Sequence, residues 1–209
     1  MIIALVGRRI DPSGAEPARF PPENVGRVRD RLRRLFRTTG ATALVGSGAC
    51  GADLLAMDVA GELGLRRRMV LPFAPGRFRA TSVDDRLGDW GPTFDRLAAG
   101  LDAAGDLVVL GCEGEPEDAY AAVNAAILDE AQRLARAGSG DDRKSCGGVL
   151  AVVAWDGHPR GPDDLTAAFA REARGRGLAL AQVSTLDHDP AHGEDPDTGT
   201  SLKQPRAFS

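Results

Sequence analysis

Residues 42–53 read Thr-Ala-Leu-Val-Gly-Ser-Gly-Ala-Cys-Gly-Ala-Asp, a short apolar run followed by three glycines within six residues. The apolar run is typical of a buried strand, and Leu55, Val59 and Leu63 follow it at helical spacing. Small residues permit a sharp turn between the two elements and bring several N–H groups close together. This segment therefore predicts a strand, a tight turn and a helix.

The same unit recurs along the whole chain. Further short apolar runs occupy residues 2–6, 68–71, 106–110, 149–154 and 178–183. Helical patterns lie between them, at residues 25–36, 93–103 and 116–137, and from Asp163 or Asp164 to Gly175 or Gly177. Such alternation is typical of α/β proteins with a doubly wound, mainly parallel, Rossmann-like sheet flanked by helices on both faces. We expect one domain over residues 1–185 and an acidic, flexible tail over 186–209.

The composition excludes several classes of protein. A net charge of −4 gives no reason to expect binding to nucleic acid or to a membrane. Cys50, Cys112 and Cys146 form no C-x-x-C pair, so neither a disulfide framework nor structural zinc is expected. No apolar run approaches the length of a signal peptide or a membrane span. We expect a cytoplasmic protein with no metal and no cofactor.

The glycine-rich loop is the main functional signal. Loop amides at a helix N-terminus attract phosphate, and ligands of doubly wound sheets bind at the carboxyl ends of the strands. A tight turn without a ligand is the alternative interpretation. The loop residues expected to contact a phosphate are Gly46, Ser47, Gly48, Ala49, Cys50 and Gly51.

The loop also matches the string G-x-G-x-x-G of nicotinamide-dependent dehydrogenases. That fingerprint requires an acidic residue roughly 20 positions later, at the end of the following strand. Val70-Leu71-Pro72-Phe73 occupies that position here, so an ordinary dehydrogenase is not expected. The P-loop string G-x-x-x-x-G-K-[ST] is also absent from the sequence.

Several short motifs follow one another in a characteristic order. They are Val6-Gly7-Arg8-Arg9, the segment 48–53, Val70-Leu71-Pro72-Phe73 with Phe78 and Ser82-Val83, Tyr120-x-x-x-Asn124, and Trp155-Asp156-Gly157. In this order, over residues 1–185, they resemble the SLOG superfamily. This superfamily includes the Smf/DprA DNA-processing proteins and the LOG nucleotide phosphoribohydrolases. The similarity is greatest to stand-alone or effector-linked members thought to bind nucleotide derivatives as signals. The resemblance implies a nucleotide ligand, a homo-oligomer and an effector protein as partner.

The resemblance also indicates site residues. It places Gly7 and Arg8 beside the ligand, and Gly48, Gly51 and Asp53 around its phosphate or ribose. Arg8 offers a forked donor suited to phosphate. Asp53 is either an acceptor for a ribose hydroxyl or only an acid at a helix terminus.

Three further groups are candidate ligand contacts. Tyr120 and Asn124 lie one helical turn apart and share a face, where ligand contact and structural hydrogen bonding both remain open. The strand-end residues Trp155, Asp156 and Gly157 could stack a base and bind its edge or a sugar. Residues 73–91 are long for a plain connection, which indicates a lid or an oligomer contact. Arg77 and Ser82 are its candidate ligand contacts.

Three functions are compatible with these patterns. A nucleotide sensor is preferred, because the LOG motif P-G-G-x-G-T-x-x-E is missing from the chain. The alternative is hydrolysis of a nucleotide N-glycosidic bond, with Asp53, Asp156 and Glu113 as candidate catalytic residues. A DNA-binding module would use the arginine-rich helix from Arg27 to Arg37, with Arg29, Arg33 and Arg37 as its phosphate contacts. The pattern of this helix fits a solvated surface better. Related SLOG domains often carry a Gly-Gly-Thr stretch after W-D-G that holds a second phosphate. Here residues 161–166 replace that stretch, and Pro162 lacks an amide while Asp163 and Asp164 repel an anion, so a second phosphate site is not expected.

Overall fold

The computed structural model describes residues 1–113, 116–137 and 148–187. Six strands alternate with six helices, which confirms the predicted α/β class. The strands are β1 (Ile2–Gly7), β2 (Ala43–Gly46), β3 (Arg66–Leu71), β4 (Leu107–Val109), β5 (Val149–Trp155) and β6 (Ala179–Ser184). The helices are α1 (Val25–Thr38), α2 (Ala52–Glu62), α3 (Pro75–Ser82), α4 (Gly91–Ala103), α5 (Pro116–Ala137) and α6 (Leu165–Gly175).

All six strands form one parallel sheet in the order β4-β3-β2-β1-β5-β6. Side chains alternate across the sheet, so Ile3 and Leu5 point to the face covered by α1, α2 and α4. Ile2 and Ala4 point to the opposite face, which α5 and α6 cover. The doubly wound arrangement with helices on both faces is therefore confirmed.

The strand order reverses beside the first strand. β1 leads into α1 on one face of the sheet, whereas its neighbour β5 leads into α6 on the other face. The chain segments that leave these two strands therefore diverge and open a crevice at the carboxyl ends. Crevices of this kind are where doubly wound sheets bind their ligands.

Helix α3 is the main element that the sequence does not predict, since residues 73–91 are expected there only as a lid or an oligomer contact. Pro75 starts the helix at a position that suits proline. Its inner face is anchored, because Phe78 stacks on Phe94 and the Ser82 carbonyl accepts from the Cys50 amide. The pattern does not predict this helix because glycine, threonine and serine favour other conformations over so short a run.

The predicted tail falls almost entirely outside the described residues. Only Leu186 and Asp187 of residues 186–209 are described, and Arg31 donates to the carbonyls of both. Among the described helices, none is long and apolar enough to cross a bilayer.

Candidate functional site

A cavity of about 460 Å³ opens at the carboxyl ends of β1 and β2. This volume is within the usual range for small-molecule pockets, roughly 300–1,000 Å³. The N-terminus of α2, helix α3 and the first turns of α5 and α6 complete its walls. The sequence-predicted site residues that line it are Gly7, Ser47, Ala49, Asp53, Arg77, Ser82, Tyr120 and Asn124.

Asp53 is the most unusual group in this cavity. It lies in the first turn of α2 and is only 6% exposed. Its Oδ1 atom is buried and has no hydrogen-bond partner among the described residues. Burial raises the pKa of Asp53 from 3.8 to about 7, although the Gly7 amide and the charge of Arg9 lower it. One oxygen of this carboxyl group is therefore an acceptor that the described residues leave unsatisfied.

The amides of the glycine-rich loop divide into two groups. Those of Cys50 and Ala52 donate to the carbonyls of Ser82 and Arg8, over 3.0 and 3.1 Å. In the described part of the chain, no carbonyl accepts from the amides of Ser47 or Ala49, and both residues line the cavity. The protein's own backbone thus occupies part of the predicted phosphate cradle.

The glycines of this region allow close backbone packing. A Cβ on Gly51, whose φ is +104°, would lie 2.6 Å from the Ile10 nitrogen. A Cβ on Gly48 would lie 3.0 Å from both the Met69 sulfur and Phe94. Gly46, Gly48, Cys50 and Gly51 do not line the cavity. Their small size is explained by packing beneath the loop.

Three arginines give the cavity a positive lining. Arg9 pairs with Asp85, and Arg77 lies over the Phe73 ring with its guanidinium carbon 3.7 Å from the centroid. Across the described residues, the Arg160 guanidinium forms no hydrogen bond or ion pair. Although Arg160 is exposed overall, partial desolvation of its guanidinium and the nearby charge of Arg8 hold its pKa below the usual value. An anion beside Arg160 would offset both causes of the lowered pKa, because a nearby negative charge favours the charged guanidinium.

Tyr120 and Asn124 lie on the inner face of α5, as their spacing predicts. The Tyr120 hydroxyl is 2.7 Å from the Ser82 hydroxyl, which ties α5 to α3. Asn124 donates through Nδ2 to the Leu165 carbonyl over 2.8 Å. Both side chains therefore make structural hydrogen bonds while they also line the cavity.

Arg8 lies in a buried ionic cluster instead of donating into the main cavity. Its Nε donates to Asp156 over 2.8 Å, its Nη1 to Asp164 over 2.6 Å, and its Nη2 to the His158 carbonyl. Arg8, Asp156 and Asp164 are each no more than 5% exposed at the side chain. Arg8 therefore ties β1 to the loop between β5 and α6, the two segments that diverge at the crevice.

The three residues that end β5 do not line the main cavity. Trp155 packs among core residues, and its Nε1 donates to Gln182 over 2.8 Å. Asp156 is neutralised by Arg8 and Arg19, and Gly157 turns the chain with a φ of +86°. These residues lie at the Arg8 cluster and not in the main cavity, because the Trp155 indole and the Asp156 carboxylate bond to side chains of the protein itself.

Asp53 is the only one of the three catalytic candidates that lines the main cavity. The carboxylate of Asp156 is paired, and Glu113 is exposed beyond the edge strand β4. Burial raises the pKa of the Cys50 thiol, so this cysteine has no reactive-thiolate character.

A second cavity of about 450 Å³ adjoins the first at the loop between β5 and α6. The two cavities share Gly7, Arg9, Arg160, Leu165 and Thr166. Asp163 lines only the second cavity, where its side chain is exposed and forms no hydrogen bond or ion pair with a described residue. Arg8 also lines it, but with its donors already engaged.

Sequence reasoning missed Arg9, Arg160 and Thr166 among the cavity residues. Arg160 follows the end of β5 by five residues, in the loop beside the reversal of strand order. That position was the available signal, since loops at this edge form the sites of doubly wound sheets.

The arginine-rich helix α1 is largely neutralised by neighbouring acids. Arg29 pairs with Asp58 and Glu62, and Arg33 pairs with Asp30 and Glu62. Of the three arginines considered for DNA contact, only Arg37 is exposed and unpaired within the described residues. This pattern is typical of a solvated surface helix.

Comparison with known proteins adds no assignment. No family model matches the chain. No curated protein matches it at the required significance.

Proposed function

We propose that this protein binds a nucleotide or nucleotide derivative in the cavity at the ends of β1 and β2. The observation that carries the proposal is the buried, unpartnered Oδ1 of Asp53 beside a positive lining formed by Arg9, Arg77 and Arg160. A ligand that combines hydroxyl groups with an anion satisfies both features at once. The sugar and phosphate of a nucleotide provide that combination.

The charge distribution orients the proposed ligand. A phosphate against Asp53 would be repelled, whereas a ribose hydroxyl can donate to the carboxyl group. The phosphate is therefore directed towards the arginines, with the free amides of Ser47 and Ala49 nearby. This orientation differs from the phosphate position that the glycine-rich loop suggests.

The wall formed by Phe73, Arg77 and Tyr120 supplies a surface for a base through Arg77 and Tyr120, because Phe73 itself is only 4% exposed. Phe73 and Tyr120 meet edge to face with ring centroids 6.1 Å apart, and Arg77 covers Phe73. Aromatic and guanidinium planes stack on bases without requiring one particular base. This wall supports a nucleotide ligand but favours no single base.

We propose that ligand binding serves as a signal that is transmitted through α3. Arg77, Thr81 and Ser82 line the cavity, while Gly76 and Ala80 of the same helix are exposed. A ligand held by the inner residues would reposition the outer face of this short helix. That face is where we place contact with an effector or a second copy of the chain.

Thermal unfolding in the presence of mono-, di- and cyclic nucleotides tests this proposal. At least one nucleotide should raise the melting temperature of the parent protein, because a ligand that binds only the folded state stabilises it. Asp53→Ala and Arg77→Ala should reduce the shift, whereas Arg37→Ala should retain it. Inorganic phosphate and the free nucleoside should each give a smaller shift than the nucleotide.

If no nucleotide stabilises the parent protein, the proposal fails. It fails equally if Asp53→Ala and Arg77→Ala respond to nucleotides as the parent does.

Hydrolysis of the N-glycosidic bond is a second candidate, favoured by the pKa of about 7 for Asp53 inside the cavity. The carboxylate form would accept a proton from water as water bonds to the sugar C1′ atom. The C1′–N bond would break, and the base would leave with its bonding electrons and a proton from solvent. Chromatography should then detect free base with the parent protein and none with Asp53→Asn. A parent protein that binds the nucleotide without releasing base would exclude this candidate.

A further inference from the structure

The two adjoining cavities have an ordered charge layout. Arg9 and Arg160 lie on the boundary that the cavities share. Asp53 lines only the first cavity and Asp163 lines only the second. Arg160, and Arg9 with its partner Asp85, therefore lie between Asp53 on one side and Asp163 on the other, where Asp164 is already paired with Arg8.

We propose, on the basis of the proposed function, that the ligand consists of two nucleosides joined through their phosphates. The linking phosphates lie between Arg9 and Arg160, and one sugar occupies each cavity. Asp53 accepts from a hydroxyl of the first sugar, and Asp163 accepts from a hydroxyl of the second.

The acids exclude other placements of the phosphates. A terminal phosphate deep in either cavity would meet a carboxyl group that carries no compensating ion pair, which is unfavourable. Pro162 in the second cavity also lacks an amide with which to bind an anion. Only the shared boundary therefore suits a phosphate.

Arg160 provides the second support for this layout. Its guanidinium is exposed and forms no hydrogen bond or ion pair with a described residue, although the charges of Asp164 and Asp156 lie near it as well as those of Arg8 and Arg19. A planar guanidinium in this state is suited to bidentate contact with phosphate oxygens. Because it borders both cavities, the anion that it binds belongs to a ligand that can extend into each.

Isothermal titration of the full chain with diadenosine diphosphate and adenosine diphosphate tests this inference, with the guanosine pair run in parallel. The two probes of a pair carry the same linked phosphates, and only one carries a second nucleoside. In at least one pair the two-nucleoside probe should bind at least about tenfold more tightly to the parent protein and to Arg37→Ala. Asp163→Ala should abolish this difference while leaving the affinity for the nucleoside diphosphate unchanged. Arg160→Ala should weaken both probes.

The outcomes separate this inference from the proposed function. If the nucleoside diphosphates bind as tightly as the two-nucleoside probes, the inference is wrong and the proposed function stands. The same holds if Asp163→Ala weakens both probes equally or neither. If no probe of either pair binds, the inference is overturned, whereas the proposed function is overturned only if no nucleotide raises the melting temperature either.

Discussion

Asp164 and Asp53 are two buried acids at the same edge of the sheet, and their surroundings are opposite. Asp164 accepts from Arg8 and from the amides of Arg160 and Ala167. Burial raises its pKa, but these partners outweigh burial and hold the pKa below its usual value. Asp53 has an oxygen with no hydrogen-bond partner among the described residues, and burial raises its pKa to about 7.

This difference in hydrogen-bond partners indicates different roles for the two acids: Asp164 supports the structure and Asp53 is available to a ligand. A fully satisfied acid stabilises the folded state and has no capacity left for a ligand. An unsatisfied buried acid costs stability, and such a cost is typical of binding and catalytic sites. The comparison assigns the Arg8 cluster to positioning the loops and Asp53 to the ligand.

Removing Asp164 should have the largest effect on stability. Asp164→Ala leaves Arg8 partly unpaired and removes the N-cap of α6, so the free energy of unfolding should fall by about 3–5 kcal/mol. Urea denaturation measures this change. Asp163→Ala, one residue earlier and exposed, should change it by less than about 0.5 kcal/mol. Equal effects of the two substitutions would contradict the assignment of Asp164 to structure.

Replacing Asp53 by Asn should make the protein less sensitive to pH. The folded-state pKa of Asp53 is raised above its unfolded value, so its contribution to stability is fully present below about pH 4 and is lost as pH rises through 7. The parent should therefore lose up to about 4 kcal/mol relative to Asp53→Asn between these limits.

Denaturation curves of the two proteins from acidic to mildly alkaline pH measure this difference. Asp163→Asn is the control, and its curves should stay parallel to those of the parent. Parallel curves for Asp53→Asn as well would show that the raised pKa is incorrect.

Gly7 lies at the end of β1, where its amide interacts with Asp53 and its lack of a side chain lets the first residue of α2 pack closely. A Cβ there would lie 2.4 Å from the Ala52 Cβ and 2.9 Å from the Ala154 oxygen. Gly7→Ala should therefore cost about 1–3 kcal/mol and weaken nucleotide binding. Gly100→Ala, in α4 with open space around it, should leave binding unchanged and not destabilise the protein. Calorimetric unfolding and ligand titration of both variants distinguish the two sites.

The smallest effect is expected where α3 and α5 meet in the wall of the cavity. Tyr120→Phe removes the hydrogen bond to Ser82 between α5 and α3 and should cost about 1 kcal/mol. Ser82→Ala should cost a similar amount, and the double variant should cost less than the sum. Strict additivity in denaturation experiments would mean that the two hydroxyl groups do not interact.

The sequence predicts the strands and five of the six helices because their apolar periodicities are strong. Asp164 was predicted as a possible N-cap of α6, and its carboxylate does accept from the Ala167 amide. Helix α3 could not be predicted, because it is short and is held by contacts from elsewhere in the chain. Phe94 stacks on Phe78 of the helix, and the Cys50 amide donates to its Ser82 carbonyl.

The candidate site is less predictable because partner choice depends on distant residues. Arg8 and Arg160 both follow the ends of strands, yet within the described residues only Arg8 forms ion pairs, with Asp156 and Asp164 from 148 and 156 positions away. No local pattern distinguishes a paired arginine from an unpaired one. Likewise, the loop glycines predict a tight turn, but only the fold shows that Cys50 and Ala52 amides are already engaged.

A crystal structure of the protein with the nucleotide that gives the largest thermal shift would test the central claim most directly. We predict a sugar hydroxyl within hydrogen-bond distance of Asp53 Oδ1 and phosphate oxygens against the guanidinium of Arg160. A nucleotide bound elsewhere, or one whose phosphate rather than sugar meets Asp53, would contradict the account.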